Sequence, residues 1–151
     1  MDSKVWLITG ASRGFGRIWA EAALERGDRV AATARDVASV ADLAERFGDA
    51  ALPLALDVTD GDQVQKAVGQ AHAHFGRLDV VVNNAGYSLV GTIEEASKAE
   101  VRAQFETNVF GAAAVLTAFT PLLEASRAPV VVNVSSAVGS LTLSAGPDAR
   151  T

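Results

Sequence analysis

The stretch VWLITGASRGFG (residues 5–16) decides the fold of this chain. Its first four residues are apolar, which is typical of a strand buried on both faces in a parallel sheet. Glycines 10, 14 and 16 follow, and a helical pattern begins at about Phe15. The first glycine permits a tight turn, and the other two allow backbone to approach a phosphate and the helix to pack close to the sheet. This order predicts an anion site at a helix N-terminus.

Short apolar runs and helical patterns alternate along the rest of the chain. Further runs are RVAAT (29–33), ALPLAL (51–56), LDVVV (78–82) and PVVVNV (129–134). Together with VWLI they predict five strands separated by four helices. The alternation predicts a doubly wound α/β sheet of the Rossmann type with strand order 3-2-1-4-5. We expect one partial Rossmann domain over residues 1–151, with an irregular tail at 142–151.

The sequence also predicts which face of each of two helices is apolar and where the helices begin and end. The first has the apolar period Phe15, Ile18, Trp19 and Ala22, and the fourth continues from Val101, Phe105 and Val109 to Leu116. A capping box of Ser97 and Glu100 is expected to start the fourth helix. Gly27, Gly48 and Gly76 are expected to end the first three, and Pro121 to kink or end the fourth.

Composition excludes several classes of protein. The 151 residues are 49% apolar and 21% charged, which is an ordinary globular composition. A net charge of −5 argues against a nucleic-acid surface, and the absence of cysteine excludes disulfides and thiolate metal sites. The N-terminus does not resemble a signal peptide, and no apolar run approaches the roughly 20 residues of a membrane span. We expect a cytoplasmic protein that binds no metal, nucleic acid or membrane.

The glycine loop has an unusual spacing, T-G-x-x-x-G-x-G over residues 9–16. This spacing differs from the dinucleotide fingerprint G-x-G-x-x-G, and no Gly-Lys-Ser/Thr of a P-loop follows it. It resembles the classical subgroup of the short-chain dehydrogenase/reductase family. Four other stretches match that family: LDVTD (56–60), NNAG (83–86), TNVFG (107–111) and NVSS (133–136). The resemblance covers residues 4 to about 144.

The resemblance implies hydride transfer between a nicotinamide dinucleotide and the carbonyl or alcohol carbon of a small molecule. It implies that Asp57 contacts adenine, that Asn108 fixes a water in a proton relay and that Ser136 polarises the carbonyl. The implied cofactor-binding residues are Thr9, Gly10, Ser12, Arg13, Gly14, Phe15, Gly16, Arg35, Asp57, Val58, Asn84, Ala85 and Gly86.

Each of these motifs also has a purely structural interpretation. NNAG is compatible with a simple turn. Asn108 is compatible with a hydrogen bond to a backbone carbonyl, Asp57 with a helix or turn cap, and Ser136 with the end of a strand. For Tyr87, which follows NNAG, a packed loop aromatic is favoured over a residue that lines the pocket.

The end of the second strand, VAATARD (30–36), bears on the choice of cofactor. A carboxylate there bonds the ribose 2′-OH of NAD, whereas an arginine accepts the 2′-phosphate of NADP. By the family pattern the carboxylate position falls on Ala34, and Arg35 follows it. Arg13 adds a second cation, and Asp36 is interpreted as the N-cap of the second helix. The pattern predicts NADP(H), with NAD(H) and a merely solvated Arg35 as the alternatives.

The catalytic motif Tyr-x-x-x-Lys of the family has no counterpart in these residues. Its tyrosine would fall on Ala149 and its lysine beyond Thr151, whereas the only tyrosine is Tyr87 and the last lysine is Lys98. We therefore expect the cofactor-binding portion of an NADP(H)-dependent oxidoreductase with an incomplete catalytic site and doubtful activity. The alternative is a non-catalytic nucleotide-binding or regulatory module of the same fold.

The last apolar run also predicts behaviour in solution. VVVNV (130–134) is β-branched and uncharged, and SLTLSAGPDART (140–151) has no helical period that would cover it. An apolar strand at the edge of a sheet is a template for pairing with another chain. We expect self-association through this edge and low solubility.

Overall fold

The computed structural model describes residues 3–92 and 94–136. Its five strands form one parallel sheet in the order β3-β2-β1-β4-β5, which confirms the predicted topology. The strands are β1 (Val5–Ile8), β2 (Arg29–Ala34), β3 (Ala51–Ala55), β4 (Val80–Asn83) and β5 (Val130–Asn133). The predicted tail, 142–151, lies outside the described residues.

Helices cover both faces of the sheet. They are α1 (Gly14–Glu25), α2 (Ala41–Phe47), α3 (Gly61–Phe75), α4 (Lys98–Phe105) and α5 (Ala112–Glu124), with 3₁₀ turns at Val37–Val40 and Gly48–Ala50 and a π-helical segment at Glu106–Gly111. On one face, α3 and α5 pack on Val5, Leu7 and Val81. On the other, α1 and α2 pack on Ile8, Val30 and Val80.

The predicted helix ends are largely confirmed. Gly48 and Gly76 follow α2 and α3, Gly27 follows the C-cap residue of α1 at a φ of 90°, and Ser97 and Glu100 form the capping box of α4. Pro121 lies inside α5, so the prediction that it ends a helix is wrong. Proline has no N–H to donate to the carbonyl of Thr117, four residues earlier, and both residues are exposed, so that carbonyl lies on the solvent side of the helix.

The predicted apolar face of α1 is wrong. The buried residues are Gly16, Ala20, Ala23 and Leu24. Phe15 is 67% exposed and Ile18 is 58% exposed, and the Phe15 ring stacks on Trp19 with centroids 5.5 Å apart. Small side chains face the sheet because they let the helix backbone approach it closely, which leaves the larger side chains outside.

The predicted fourth helix is divided in three. The π-helical segment separates α4 from α5, and its wider turns shift the face that follows it. Val101, Phe105 and Val109, predicted to face the core, are exposed. The buried face lies in α5 and consists of Val115, Phe119, Leu122 and Leu123.

Two buried aspartates, which the sequence patterns did not single out, fix the amino ends of the strands. Asp79 Oδ2 accepts a hydrogen bond from the Val5 N–H at 2.8 Å, and its Oδ1 accepts one from Ser126 Oγ at 2.6 Å. Asp28 accepts hydrogen bonds from the Lys4 N–H and from Trp6 Nε1, each at 3.0 Å. These bonds fix the start of β1 against the residues that precede β2 and β4.

Candidate functional site

A cleft of about 600 Å³ lies at the carboxyl ends of the strands. The strand order reverses direction between β1 and β4, and open α/β sheets bind ligands at this point. The lining residues come from the glycine loop and from the segments after β2, β3 and β4. They are Gly10, Ser12, Arg13, Gly14, Phe15, Ala34, Arg35, Leu56, Asp57, Val58, Thr59, Asn84, Ala85, Gly86, Tyr87 and Thr107.

Most of the predicted cofactor-binding residues line this cleft together. Thr9 and Gly16 are the exceptions, because both are buried beneath it. Tyr87 lines the cleft and is 46% exposed, so the favoured interpretation of a packed aromatic is wrong. Thr59 and Thr107 also line the cleft and were not predicted, although both lie inside quoted motifs, next to Val58 and Asn108.

The glycine loop adopts a backbone that favours glycine. Gly10 and Gly14 have φ values of 68° and 60°. A Cβ atom at Gly16 would lie 2.5 Å from Asn84 Nδ2 and 2.5 Å from the Gly10 carbonyl oxygen. The loop therefore packs against the turn after β4 without room for a side chain at position 16.

Thr9 and Asn84 connect the glycine loop to the NNAG segment. Thr9 Oγ1 accepts hydrogen bonds from the N–H groups of Asn84 at 3.0 Å and Ala85 at 2.9 Å. Asn84 Nδ2 donates to the carbonyl oxygens of Thr9 at 2.9 Å and Gly10 at 3.0 Å. NNAG is thus more than a turn, because its second asparagine holds the loop in place.

Two cations face the cleft. In the segments 3–92 and 94–136, neither Arg13 nor Arg35 forms an ion pair or a side-chain hydrogen bond. Asp36 caps the 3₁₀ turn that leads into α2, and its carboxylate accepts from the Ala38 N–H at 3.0 Å. Asp36 was predicted to be the N-cap of the second helix, but the N-cap residue of α2 is Val40, so Asp36 caps only the turn before that helix. Its carboxylate is engaged with the backbone rather than with either arginine.

Asp57 is held at its backbone and at its side chain. Its N–H donates to Gln63 Oε1 at 2.9 Å, and its Oδ1 accepts from the N–H of Thr59 at 3.0 Å and from Thr59 Oγ1 at 2.7 Å. Asp57 therefore closes a local turn, whereas Asp60 is the N-cap of α3. Hydrogen bonds from the backbone and side chain of Gln63 hold the pKa of Asp60 below its ordinary value.

Asn108 lies in the π-helical segment and contacts the backbone of Tyr87. Its Oδ1 accepts from the Tyr87 N–H at 3.1 Å, and its Nδ2 donates to the Tyr87 carbonyl at 2.7 Å. A Cβ at Gly86 would lie 3.0 Å from Asn108 Oδ1. Asn108 thus fixes the segment after NNAG and does not itself line the cleft, whereas its neighbour Thr107 does.

Ser136 is exposed and lies three residues beyond the end of β5. It shares the carboxyl edge of the sheet with the cleft but does not line it. Its predicted role and the relay role of Asn108 stay predictions.

The part of the chain that the structure describes contains neither a cluster of potential metal ligands nor a helix suited to span a membrane. Across residues 3–92 and 94–136, no three His, Asp or Glu side chains are grouped as metal ligands. None of the helices in those ranges has the length and apolar character needed to cross a bilayer.

Comparison with known sequences finds proteins that are similar to this chain. The pattern of the short chain dehydrogenase family matches residues 4–147. The oxidoreductase BOA17 of Botryotinia fuckeliana is 44% identical over 138 residues, which are 91% of this chain and 50% of that protein. The chain spans about half the length of the curated relatives it matches.

Two solved structures share the fold. The 3-ketoacyl-(acyl-carrier-protein) reductase of Brucella melitensis, in complex with NADH, has a TM-score of 0.76 and 34% identity over 82% of this chain and 51% of its own. The alcohol dehydrogenase of the archaeon Thermococcus sibiricus, in complex with 5-hydroxy-NADP, has a TM-score of 0.80 and 32% identity over 87% of this chain and 57% of its own.

Proposed function

Because the chain belongs to the short-chain dehydrogenase family, a family of oxidoreductases, we propose that its cleft binds NADP(H) in preference to NAD(H). Similar proteins have been solved with NADH and with 5-hydroxy-NADP, so the family relation supports a nicotinamide dinucleotide of either kind. The preference between the two rests on the residues of this chain.

The glycine loop supports binding of the pyrophosphate. Helix α1 begins at Gly14, within the loop, and its first N–H groups have no partner in their own helix. These N–H groups and the helix dipole favour an anion. Ser12 and Gly14 line the cleft at this point.

The two arginines that line the cleft are the observation that carries the NADP(H) proposal. Arg13 and Arg35 face the same cavity and have no acidic partner in the described ranges. Ala34 stands where the family places a carboxylate that would repel a 2′-phosphate. A guanidinium binds phosphate oxygens through two parallel hydrogen bonds, which suits the additional phosphate of NADP(H).

Isothermal titration of the purified chain with NADPH and NADH tests the preference. We expect tighter binding of NADPH and a reversed preference in Arg35→Asp, because an aspartate repels the 2′-phosphate and bonds a 2′-OH. Loss of a charge-assisted hydrogen bond corresponds to a change of about tenfold to a hundredfold in affinity. Arg127→Asp, an equal change of charge at an exposed residue outside the cleft, is the control. Tighter binding of NADH by the wild type contradicts the proposal.

For the whole protein we propose hydride transfer between the cofactor and a small carbonyl or alcohol. The nicotinamide supplies or accepts the hydride, while Ser136 polarises the carbonyl and Asn108 holds the segment at Tyr87. For these 151 residues alone, which contain no Tyr-x-x-x-Lys, we expect binding without appreciable turnover. General acid catalysis contributes about 10²–10⁴-fold to such a reaction. Carbonyl reduction that Ser136→Ala abolishes would contradict this expectation, whereas binding without reduction also fits the alternative of a non-catalytic module.

We also propose that the chain self-associates through the outer edge of β5. Val130, Val131, Val132 and Val134 are each about 40% exposed, and β5 is the last strand of the described sheet. An exposed row of valines along an edge strand favours pairing with another chain. The cytoplasmic location stays a prediction from the sequence.

A further inference from the structure

The carboxylate of Asp57 has one oxygen engaged and one available. Both hydrogen-bond donors of Thr59, its N–H and its Oγ1, bond Oδ1 of Asp57, at 3.0 and 2.7 Å. Oδ2 accepts no hydrogen bond from residues 3–92 or 94–136. Asp57 and Thr59 both line the cleft. Oδ2 is therefore the oxygen that is available to a ligand.

A second contact restrains the backbone of Asp57. Gln63 accepts from the Asp57 N–H through Oε1 and donates through Nε2 to Asp60 Oδ2 at 2.8 Å. Asp60 in turn accepts from the N–H groups of Asp62 and Gln63 in the first turn of α3. The start of α3 therefore fixes the backbone at position 57. What remains free is rotation of the carboxylate about χ2, which has a broad distribution in aspartate.

We propose that Thr59 is a positioning residue for recognition of the adenine base, because it stops this rotation and leaves Oδ2 as the acceptor. The inference rests on the proposed function. An ionised carboxylate only accepts hydrogen bonds, so it matches the 6-amino group of adenine. Hypoxanthine carries a carbonyl at that position, which a fixed carboxylate oxygen repels. A carboxylate that rotates freely discriminates less, since it can turn away from the carbonyl.

The test compares two cofactors that differ only at the base. Isothermal titration measures the affinity of the wild type for NADPH and for reduced nicotinamide hypoxanthine dinucleotide phosphate. We expect the wild type to prefer the adenine form by about tenfold, the effect of one hydrogen bond to a charged group. Thr59→Val, which keeps the backbone donor but removes the hydroxyl, should reduce this preference about threefold or more. Thr59→Ser keeps the hydroxyl and should restore it.

Thr120→Val is the matched control, because the Thr120 hydroxyl bonds the Leu116 carbonyl within α5 and lies outside the cleft. Its base preference should equal that of the wild type.

If Thr59→Val lowers the affinity for both cofactors by the same factor, Thr59 has only a structural role and the inference is overturned. If the wild type binds both forms equally, Asp57 does not read the base, and the inference is overturned while the proposed function stands. Binding of neither form overturns the proposed function itself. Thr59→Ala replaces the valine variant if that variant does not fold.

Discussion

Thr9 and Asn84 hold each other across the two central strands: the Thr9 hydroxyl accepts from the Asn84 N–H, and the Asn84 amide group donates to the Thr9 carbonyl. The same amide group also bonds the Gly10 carbonyl, at 3.0 Å. The shape of the glycine loop thus depends on a residue distant in sequence. Position 16 has no room for a side chain because Asn84 Nδ2 and the Gly10 carbonyl oxygen occupy that space.

Replacing Gly16 by alanine should disturb this arrangement. The added Cβ would lie 2.5 Å from Asn84 Nδ2, a distance that forces the loop or the amide to move. We expect a loss of about 1–3 kcal/mol in the free energy of unfolding, as for other overpacked sites, and weaker NADPH binding. Urea denaturation and isothermal titration measure the two effects.

Gly69→Ala is the control for this substitution. Gly69 lies on the exposed side of α3, and a Cβ there meets nothing within 4 Å. Alanine should stabilise the helix by about 0.5–1 kcal/mol and leave NADPH affinity unchanged. Equal unfolding midpoints for Gly16→Ala and the wild type would show that the loop accommodates the methyl group.

Asn108 should protect the Tyr87 amide from exchange with solvent. Asn108→Ala removes the acceptor of the Tyr87 N–H, so hydrogen exchange at that amide should accelerate about tenfold. Gln104→Ala is the control, because Gln104 donates to the Tyr87 carbonyl at 3.3 Å but accepts nothing from its N–H. Exchange rates measured by mass spectrometry or NMR distinguish the two. Unchanged exchange in Asn108→Ala would show that the bond contributes nothing to the order of this segment.

The stability of the fold should fall in acid because of Asp28 and Asp79. Burial acts to raise the pKa of both carboxyls, but the hydrogen bonds that they accept outweigh this effect. The donors to Asp28 are Lys4, Arg26 and Trp6, and the donors to Asp79 are Ser126, Val5 and Arg77. The pKa of each is therefore lower in the folded than in the unfolded chain. Their stabilisation is present above the unfolded pKa of about 3.9 and is lost as the pH falls through the folded values.

Asp79→Asn tests this source of acid sensitivity. At neutral pH the variant should unfold with a free energy lower by about 1–3 kcal/mol, since Asp79 is buried and bonds the β1 backbone and Ser126. Between pH 6 and pH 3 its stability should fall less than that of the wild type. Asp49→Asn, at an exposed residue whose carboxylate accepts no hydrogen bond in the described ranges, is the control. Parallel pH curves for Asp79→Asn and the wild type would contradict this assignment.

The strands and the cleft were predictable from the sequence, because each depends on local patterns. Uninterrupted apolar runs mark strands buried on both faces, and polar segments that follow such strands meet at one edge. The face of α1 was not predictable from apolar periodicity. Close packing selected Gly16 and Ala20 for the interior and left Phe15 outside, although Phe15 is more hydrophobic.

The contacts that hold the site were harder to predict because they join distant residues. Nothing near Tyr87 in the sequence shows that Asn108 will bond its backbone, and Asp79 reaches Val5 across 74 positions. The π-helical segment that contains Asn108 was not predicted, because an apolar helical period does not show where the turns of a helix widen. The contact between Asp57 and Thr59 is local instead, because an aspartate side chain often accepts a hydrogen bond from the backbone two residues later.

The outer edge of β5 should decide how the chain behaves in solution. The N–H groups of Val130 and Val134 donate to the carbonyls of Asp79, just before β4, and of Asn83, at its end. The alternate residues Val131 and Asn133 therefore direct their N–H and C=O groups outward. A lysine on such an edge opposes pairing through its charge. We expect Val131→Lys to weaken self-association about tenfold or more, since each unfavourable charge contact costs on the order of 1 kcal/mol. Light scattering over a range of protein concentrations measures the effect.

Val90→Lys is the matched control for the edge prediction. Val90 is 91% exposed in the segment between β4 and α4, so its replacement adds the same charge without touching β5. If the two variants reduce the average mass equally, net charge rather than the edge governs association. A monomeric wild type at high concentration would show that this edge does not pair with a second copy. Loss of association in Val131→Lys alone, with its unfolding midpoint near that of the wild type, would identify the outer edge of β5 as the contact between copies.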